Sequence, residues 1–176
     1  NGLILAGGKS SRMGFNKALL DFHGTHQVKW LHELLGKFCD KVFISGSPDE
    51  IPGNFDFIED RYDHGGPLNG ILSAFHSHAK NSLLVVPVDM PNLDETVIRF
   101  LLLHRDKNFL ATGFKSQDGF VEPLPVVLEP EAYPVLLNRF NEGRDSLSQF
   151  LKEGKAKLVE VLDSSWLKNV NNPSQI

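Results

Sequence analysis

Apolar positions along this chain alternate between short unbroken runs and stretches in which they return every three or four residues. Residues 2–6 form the first run, and Val28, Leu31, Leu34, Leu35 and Phe38 then recur at helical spacing. Residues 41–45 and 55–58 read as the next strands. After Gly65-Gly66-Pro67, the positions Leu68, Ile71, Leu72 and Phe75 mark a helix with proline in its first turn. Residues 82–88 are nearly all apolar, as the middle of a parallel sheet requires, and the run stops at Asp89. A helix over about 95–104, capped by Asp94, leads to strands at 109–113 and 125–128. Helices over 131–140 and 146–152, a late strand at 157–161 and a polar tail complete the pattern. This alternation predicts one doubly wound α/β domain over residues 1–176, Rossmann-like, with a mostly parallel sheet and its ligand site at the carboxyl ends of the strands. Strand order is not readable from periodicity.

The junction after the first strand carries the candidate chemistry. The segment Leu5-Ala6-Gly7-Gly8-Lys9-Ser10-Ser11-Arg12-Met13-Gly14-Phe15-Asn16-Lys17 is rich in glycine and cation and holds no acid. Gly7, Gly8 and Gly14 let backbone N–H groups approach an anion, and Lys9, Arg12 and Lys17 add charge, so the loop suits a polyphosphate. Spacing excludes two familiar phosphate loops. A P-loop would need glycine five residues before Gly8, where Leu3 stands. A dinucleotide fingerprint would need glycine where Lys9 stands.

The loop instead matches L-A-G-G-x-x-x-R-M-G-x-x-K, and with it the chain resembles the MobA family of molybdenum cofactor guanylyltransferases. Ile58-Glu59-Asp60, Gly66-Pro67-Leu68-Asn69-Gly70, Val88-Asp89-Met90-Pro91, Glu122-Pro123-Leu124 and Asn169-Val170-Asn171 follow in that family's order across nearly the whole chain. The resemblance implies an enzyme that transfers GMP from GTP to molybdopterin and releases pyrophosphate. It implies nucleotide binding by Leu5, Ala6, Gly7, Gly8, Arg12, Lys17, Ser45, Asp60 and Asp89, with Lys17, Arg12 and Asp89 doing the catalytic work. It implies Mg2+ at Asp89, acceptor binding by Asn169 and Asn171, and partner proteins that deliver the acceptor or receive the finished cofactor.

The residues support these assignments unequally. A solitary aspartate surfacing from a buried strand suits a hard dication that takes its other ligands from substrate phosphates, or alternatively caps the loop Met90-Pro91-Asn92-Leu93. Asn16 departs from the aspartate usual before the lysine, which leaves open what orients Lys17. Asn172 departs from the usual threonine, which weakens the acceptor reading. Ser45 stands where some family members place asparagine. Gly65, Gly66, Pro67 and Gly70 serve equally as an anion-facing helix start and as a tight turn packed on the sheet.

Composition narrows the rest. A formal net charge of −4, from 18 Lys and Arg against 22 Asp and Glu, provides no global field to gather nucleic acid. No apolar run approaches the length of a bilayer span, and with no signal peptide visible the expected compartment is the cytoplasm; a short segment is expected to precede Asn1. Cys39, the lone cysteine, reads as a core residue, and His76 and His78 as surface residues whose spacing does not suit a shared metal. Rival readings are a cytidylyl or sugar-phosphate nucleotidyltransferase of similar fold, and a nucleotide-binding regulator without turnover. The run Leu5-Ala6-Gly7-Gly8 favours guanylyl over cytidylyl transfer, because the cytidylyl enzymes tend toward Ala-Ala-Gly.

Overall fold

The computed structural model describes residues 1–7, 16–62 and 66–170. Seven strands form one sheet: β1 (Gly2–Leu5), β2 (Val42–Ser45), β3 (Asp56–Ile58), β4 (Leu83–Pro87), β5 (Ala111–Lys115), β6 (Val121–Leu128) and β7 (Ala156–Glu160), in the order 3-2-1-4-6-5-7. Strands β1 to β4 pair in parallel, β7 is parallel to β5, and β6 runs antiparallel to both β4 and β5. The mostly parallel sheet is therefore as expected, with one reversed strand.

Because successive side chains on a strand point to opposite faces, β1 feeds two cores. Leu3 and Leu5 join α2 (Pro67–Ser77) and α4 (Ala132–Asn141) in one cluster, with Leu72, Phe75, Leu136 and Phe140. Ile4 joins α1 (Gln27–Gly36) and α3 (Glu95–Leu103) in the other, with Leu31, Leu35, Ile98 and Leu101. Helices thus cover both faces, which is why β4 is buried along its whole length. Asp94 caps α3 as expected, accepting a hydrogen bond from the Val97 amide at 3.0 Å.

Three boundaries differ from the periodicity reading. Strand β5 starts two residues later than predicted, because Asp106 accepts from the Asn108 amide in a turn that takes up Phe109. Strand β6 begins before Pro125: the β5–β6 register slips between Gly113, opposite Val126, and Phe114, opposite Glu122. Pro123 and Pro125, which lack an N–H to give a ladder, lie in that slip. The polar tail holds a 3₁₀ turn, Ser164–Leu167, whose Trp166 packs edge-on against Phe100 at 5.6 Å. A short helix α5 (Leu147–Phe150), capped by Ser146, passes into a wider turn over Leu151–Lys155 in which Gly154 adopts φ of 88°.

The strand order locates the switch point. The chain winds from β1 outward to β3, then returns across the sheet to place β4 on the other side of β1. The crevice in such a sheet opens where the winding reverses, at the carboxyl ends of β1 and β4.

Candidate active site

Two side chains meet at that switch point. Lys17 and Asp89 form an ion pair, Nζ to Oδ2 3.1 Å, with side chains 11% and 26% exposed. Lys17 opens a 3₁₀ turn, Lys17–Leu19, capped by Asn16, whose Oδ1 accepts from the Ala18 amide at 3.0 Å and whose Nδ2 donates to the Glu50 carbonyl at 3.1 Å. Asparagine therefore caps this turn and also makes an amide contact that aspartate lacks a proton to make. The carboxylate that orients Lys17 belongs to Asp89.

Asp89 lies just beyond β4, where the Val88 amide still donates to the Leu5 carbonyl at 3.1 Å. Its own loop is held from outside. Gln27 donates to the Met90 carbonyl at 3.3 Å, His23 contacts the Pro91 carbonyl at 2.9 Å, and Trp30 reaches the Leu93 carbonyl at 3.5 Å. The Asp89 carboxylate meets Lys17 instead of capping the loop that follows it.

On the β2 side, the amides of Ala6 and Gly7 both donate to the Ser45 carbonyl, at 2.9 and 2.8 Å. This corrects one expectation. The Gly7 N–H is used at the carboxyl end of β1, against β2, and is not offered to an anion, and Gly7 has no positive φ. What glycine provides there is an exposed surface without a side chain. Leu5 is buried under this edge and Ala6 half-buried, so both support the site from beneath.

Ser45 Oγ donates to Asp60 Oδ1 at 3.3 Å. Desolvation raises the Asp60 carboxyl above its usual range, and the Ser45 hydroxyl pulls weakly the other way. A cleft of about 410 Å³ opens beside Asp60, lined also by Phe57, Ile58, Glu59, Arg61 and, from the end of α2, Ser77. A Cβ on Gly70 would stand 2.3 Å from Ser45 Oγ and 2.9 Å from a Leu5 methyl, so this glycine seats α2 against Ser45. Gly66, at φ 50° just before α2, supplies the backbone turn. With strands about 4.8 Å apart, the Asp60 end of β3 and the Asp89 end of β4 are separated by about 14 Å, the scale of an extended nucleoside triphosphate.

Val170 donates its amide to the Asp89 carbonyl at 2.8 Å, which places exposed Asn169 next to the switch point. Gly8, Arg12 and Asn171, also expected in the site, lie outside the described residues. Cys39 is free, and burial pushes its thiol up, away from nucleophile chemistry. His78 is half-buried and stacked on Phe43 at 4.5 Å, so only His76 is the surface residue expected of both. Among the described residues no three His, Cys, Asp or Glu side chains gather as a metal cage. No helix of the described residues is long and apolar enough to cross a membrane.

A switch-point crevice that pairs a cation with a carboxylate, beside the exposed Gly7 at the end of β1, is where a sheet of this kind receives its ligand. The chain belongs to the MobA-like NTP transferase domain family, whose model matches residues 2–159. It is 30% identical, over 98% of its length, to a molybdenum cofactor biosynthesis bifunctional protein of Synechocystis, and spans 51% of that protein. It is 29% identical to a probable molybdenum cofactor guanylyltransferase of Carboxydothermus hydrogenoformans, covering 97% of this chain and 90% of the relative. In fold it resembles molybdopterin-guanine dinucleotide biosynthesis protein A of Archaeoglobus fulgidus, with a TM-score of 0.78 at 20% identity over 98% of this chain and 93% of that one.

Proposed function

We propose that this protein transfers GMP from GTP to the terminal phosphate of molybdopterin and releases pyrophosphate. The observation that carries the reading is the Lys17–Asp89 pair at the switch point, next to a glycine-edged surface. The acceptor phosphate already carries an anionic oxygen, so no protein base is needed to make the nucleophile. That oxygen attacks the α-phosphorus, the bond to the bridging oxygen breaks, and the electron pair leaves with pyrophosphate. Lys17 balances charge on the reacting phosphates, Arg12 adds a second cation, and the base lies toward Ser45 and Asp60. Asn169 and Asn171 are the residues assigned to the pterin.

A strand-tip carboxylate fits a hard cation that draws its remaining oxygens from phosphates and water, so Asp89 is the residue that would hold Mg2+. Magnesium would supply further charge neutralisation at the leaving phosphates. Asp89 also holds the Lys17 ammonium at a fixed place before substrate arrives. The working compartment on this reading is the cytoplasm, with separate proteins delivering the pterin and receiving the dinucleotide.

The direct test offers each of the four nucleoside triphosphates with magnesium and molybdopterin and follows pyrophosphate. GTP is expected to be strongly preferred, and equal use of CTP overturns the guanylyl assignment. Gly7→Ala probes the same point. Its Cβ would meet the Ser45 carbonyl at 3.5 Å and Gly46 Cα at 3.6 Å, ordinary contacts that leave the fold intact. The added methyl fills the β2 side of the exposed edge, so GTP use should fall while the melting temperature holds. An unchanged donor profile removes Gly7 from the site.

Acidification provides a further check. Because the Asp60 carboxyl is raised, it takes up a proton at a pH above the ordinary aspartate value of about 3.9. Protonation removes an acceptor from the nucleoside, so KM for GTP should climb on lowering pH before an ordinary aspartate would titrate. Asp60→Asn should flatten that limb of the profile. A pH dependence identical in the variant assigns the titration elsewhere.

A further inference from the structure

Strand β3 is three residues long, sits at the sheet edge, and ends at Ile58, so the segment that carries Asp60 leaves the sheet without a strand to satisfy its backbone. Two side chains of α2 do that instead. The Arg61 amide donates to Ser73 Oγ at 3.0 Å, and the Ser73 hydroxyl donates to Asn69 Oδ1 at 3.2 Å. The Tyr62 amide donates to the same Oδ1 at 3.3 Å, while Asn69 Nδ2 donates to the Tyr62 carbonyl. The Asn69 amide thereby engages both backbone groups of Tyr62, as a neighbouring strand would.

Both side chains are buried, Ser73 fully and Asn69 to 6% exposure, in a helix whose other sheet-facing positions are apolar. Their spacing of four residues puts them on one helical face. Buried polar groups spent on so few backbone atoms mark a place where position matters more than apolar packing. The Tyr62 ring adds a second anchor, meeting Phe140 at 4.9 Å. The peptide units next to Asp60 and Arg61, both on the cleft, are thus fixed from the helix side while Ser45 fixes the Asp60 carboxyl from the sheet side.

We infer that Asn69 and Ser73 are positioning residues for the nucleoside end of the site: they clamp the Arg61–Tyr62 backbone and so hold Asp60 against the base of the donor nucleotide. This rests on the guanylyltransferase reading for the identity of the base. They touch no reacting atom, so their loss should appear in donor binding and leave the chemical step alone.

The test measures KM and kcat for GTP in Asn69→Ala and Ser73→Ala, alone and combined with Asp60→Asn. Expected is a rise in KM of about tenfold with kcat within about twofold, and no further rise when either substitution is made on the Asp60→Asn protein. An unchanged KM overturns the inference, as does a rise that multiplies fully with that of Asp60→Asn. Hydrogen exchange on the unaltered protein tests the clamp without any variant. Slow exchange of the Arg61 and Tyr62 amides is expected, and exchange as fast as that of an open loop overturns it. Titrating the unaltered protein with GTP and CTP separates the two ideas. If CTP binds in place of GTP, the guanylyl reading fails while the same cycle, run with CTP, still decides the clamp; if neither binds, both fail.

Discussion

Lys17→Ala is expected to lower guanylyl transfer by about two to three orders of magnitude, the size typical of losing one preorganised charge contact. The side chain is only 11% exposed and already held by Asp89, so its ammonium does not have to be ordered when substrate arrives. That prior ordering is what separates it from a solvated surface lysine, whose flexible stem would cost entropy to fix. The charge on the reacting phosphates grows toward the transition state, so the deficit should fall on kcat more than on KM. Single-turnover pyrophosphate release by the variant, with a thermal melt alongside, checks this. A loss below about fivefold with an intact fold would place Lys17 outside the reacting centre.

Much of this site was legible because its parts sit where regular patterns stop. The apolar run that forms β4 stops directly at Asp89, and a carboxylate at such a boundary is conspicuous whatever surrounds it. The helix start at Pro67 and the strands β1 to β4 are local signals, readable to within a residue or so. Nonlocal facts were not. No periodicity tells that β4 returns beside β1, yet that placement alone brings Asp89 to Lys17 across 72 positions of sequence. The expected strand at 125–128 misses the first half of β6, because Pro123 and Pro125 fall in a register slip that needs no ladder.

The role of Gly7 differs from what its residue type suggests, since glycine implies conformational freedom while here it provides an uncovered surface and a donor to Ser45. Asn69 and Ser73 left a faint signal, two polar residues at helical spacing inside an otherwise apolar face. Polar residues in such a face more often mark its solvent border, and only the hydrogen bonds to Arg61 and Tyr62 show that they point inward. Asn16 gives the complementary lesson. Its departure from aspartate looked like a missing charge for Lys17, but the structure assigns it to a cap and gives the charge to Asp89.

Asp89→Asn should abolish most transfer while leaving the protein folded. Asparagine keeps the size and one acceptor oxygen, so contact with Lys17 can persist as a weaker hydrogen bond from the ammonium to an uncharged oxygen. Loss of this partly exposed pairing costs stability on the order of 1 kcal/mol, roughly 2–4 °C in Tm for a chain of this length. Activity should fall far more, by about two orders of magnitude or greater, because both the placement of Lys17 and the negative charge a hard cation needs are lost together. If Asp89 holds magnesium as proposed, the rate should also stop responding to added magnesium in the variant. If Lys17 and Asp89 act as one unit, the double variant should be no slower than the worse single one, whereas independent roles would multiply. Melts with and without Mg-GTP, run beside pyrophosphate release, distinguish the outcomes. Full activity in Asp89→Asn would mean that the metal and the lysine are held by other groups, and lost activity with lost folding would reduce Asp89 to a structural tie between β4 and the Lys17 turn.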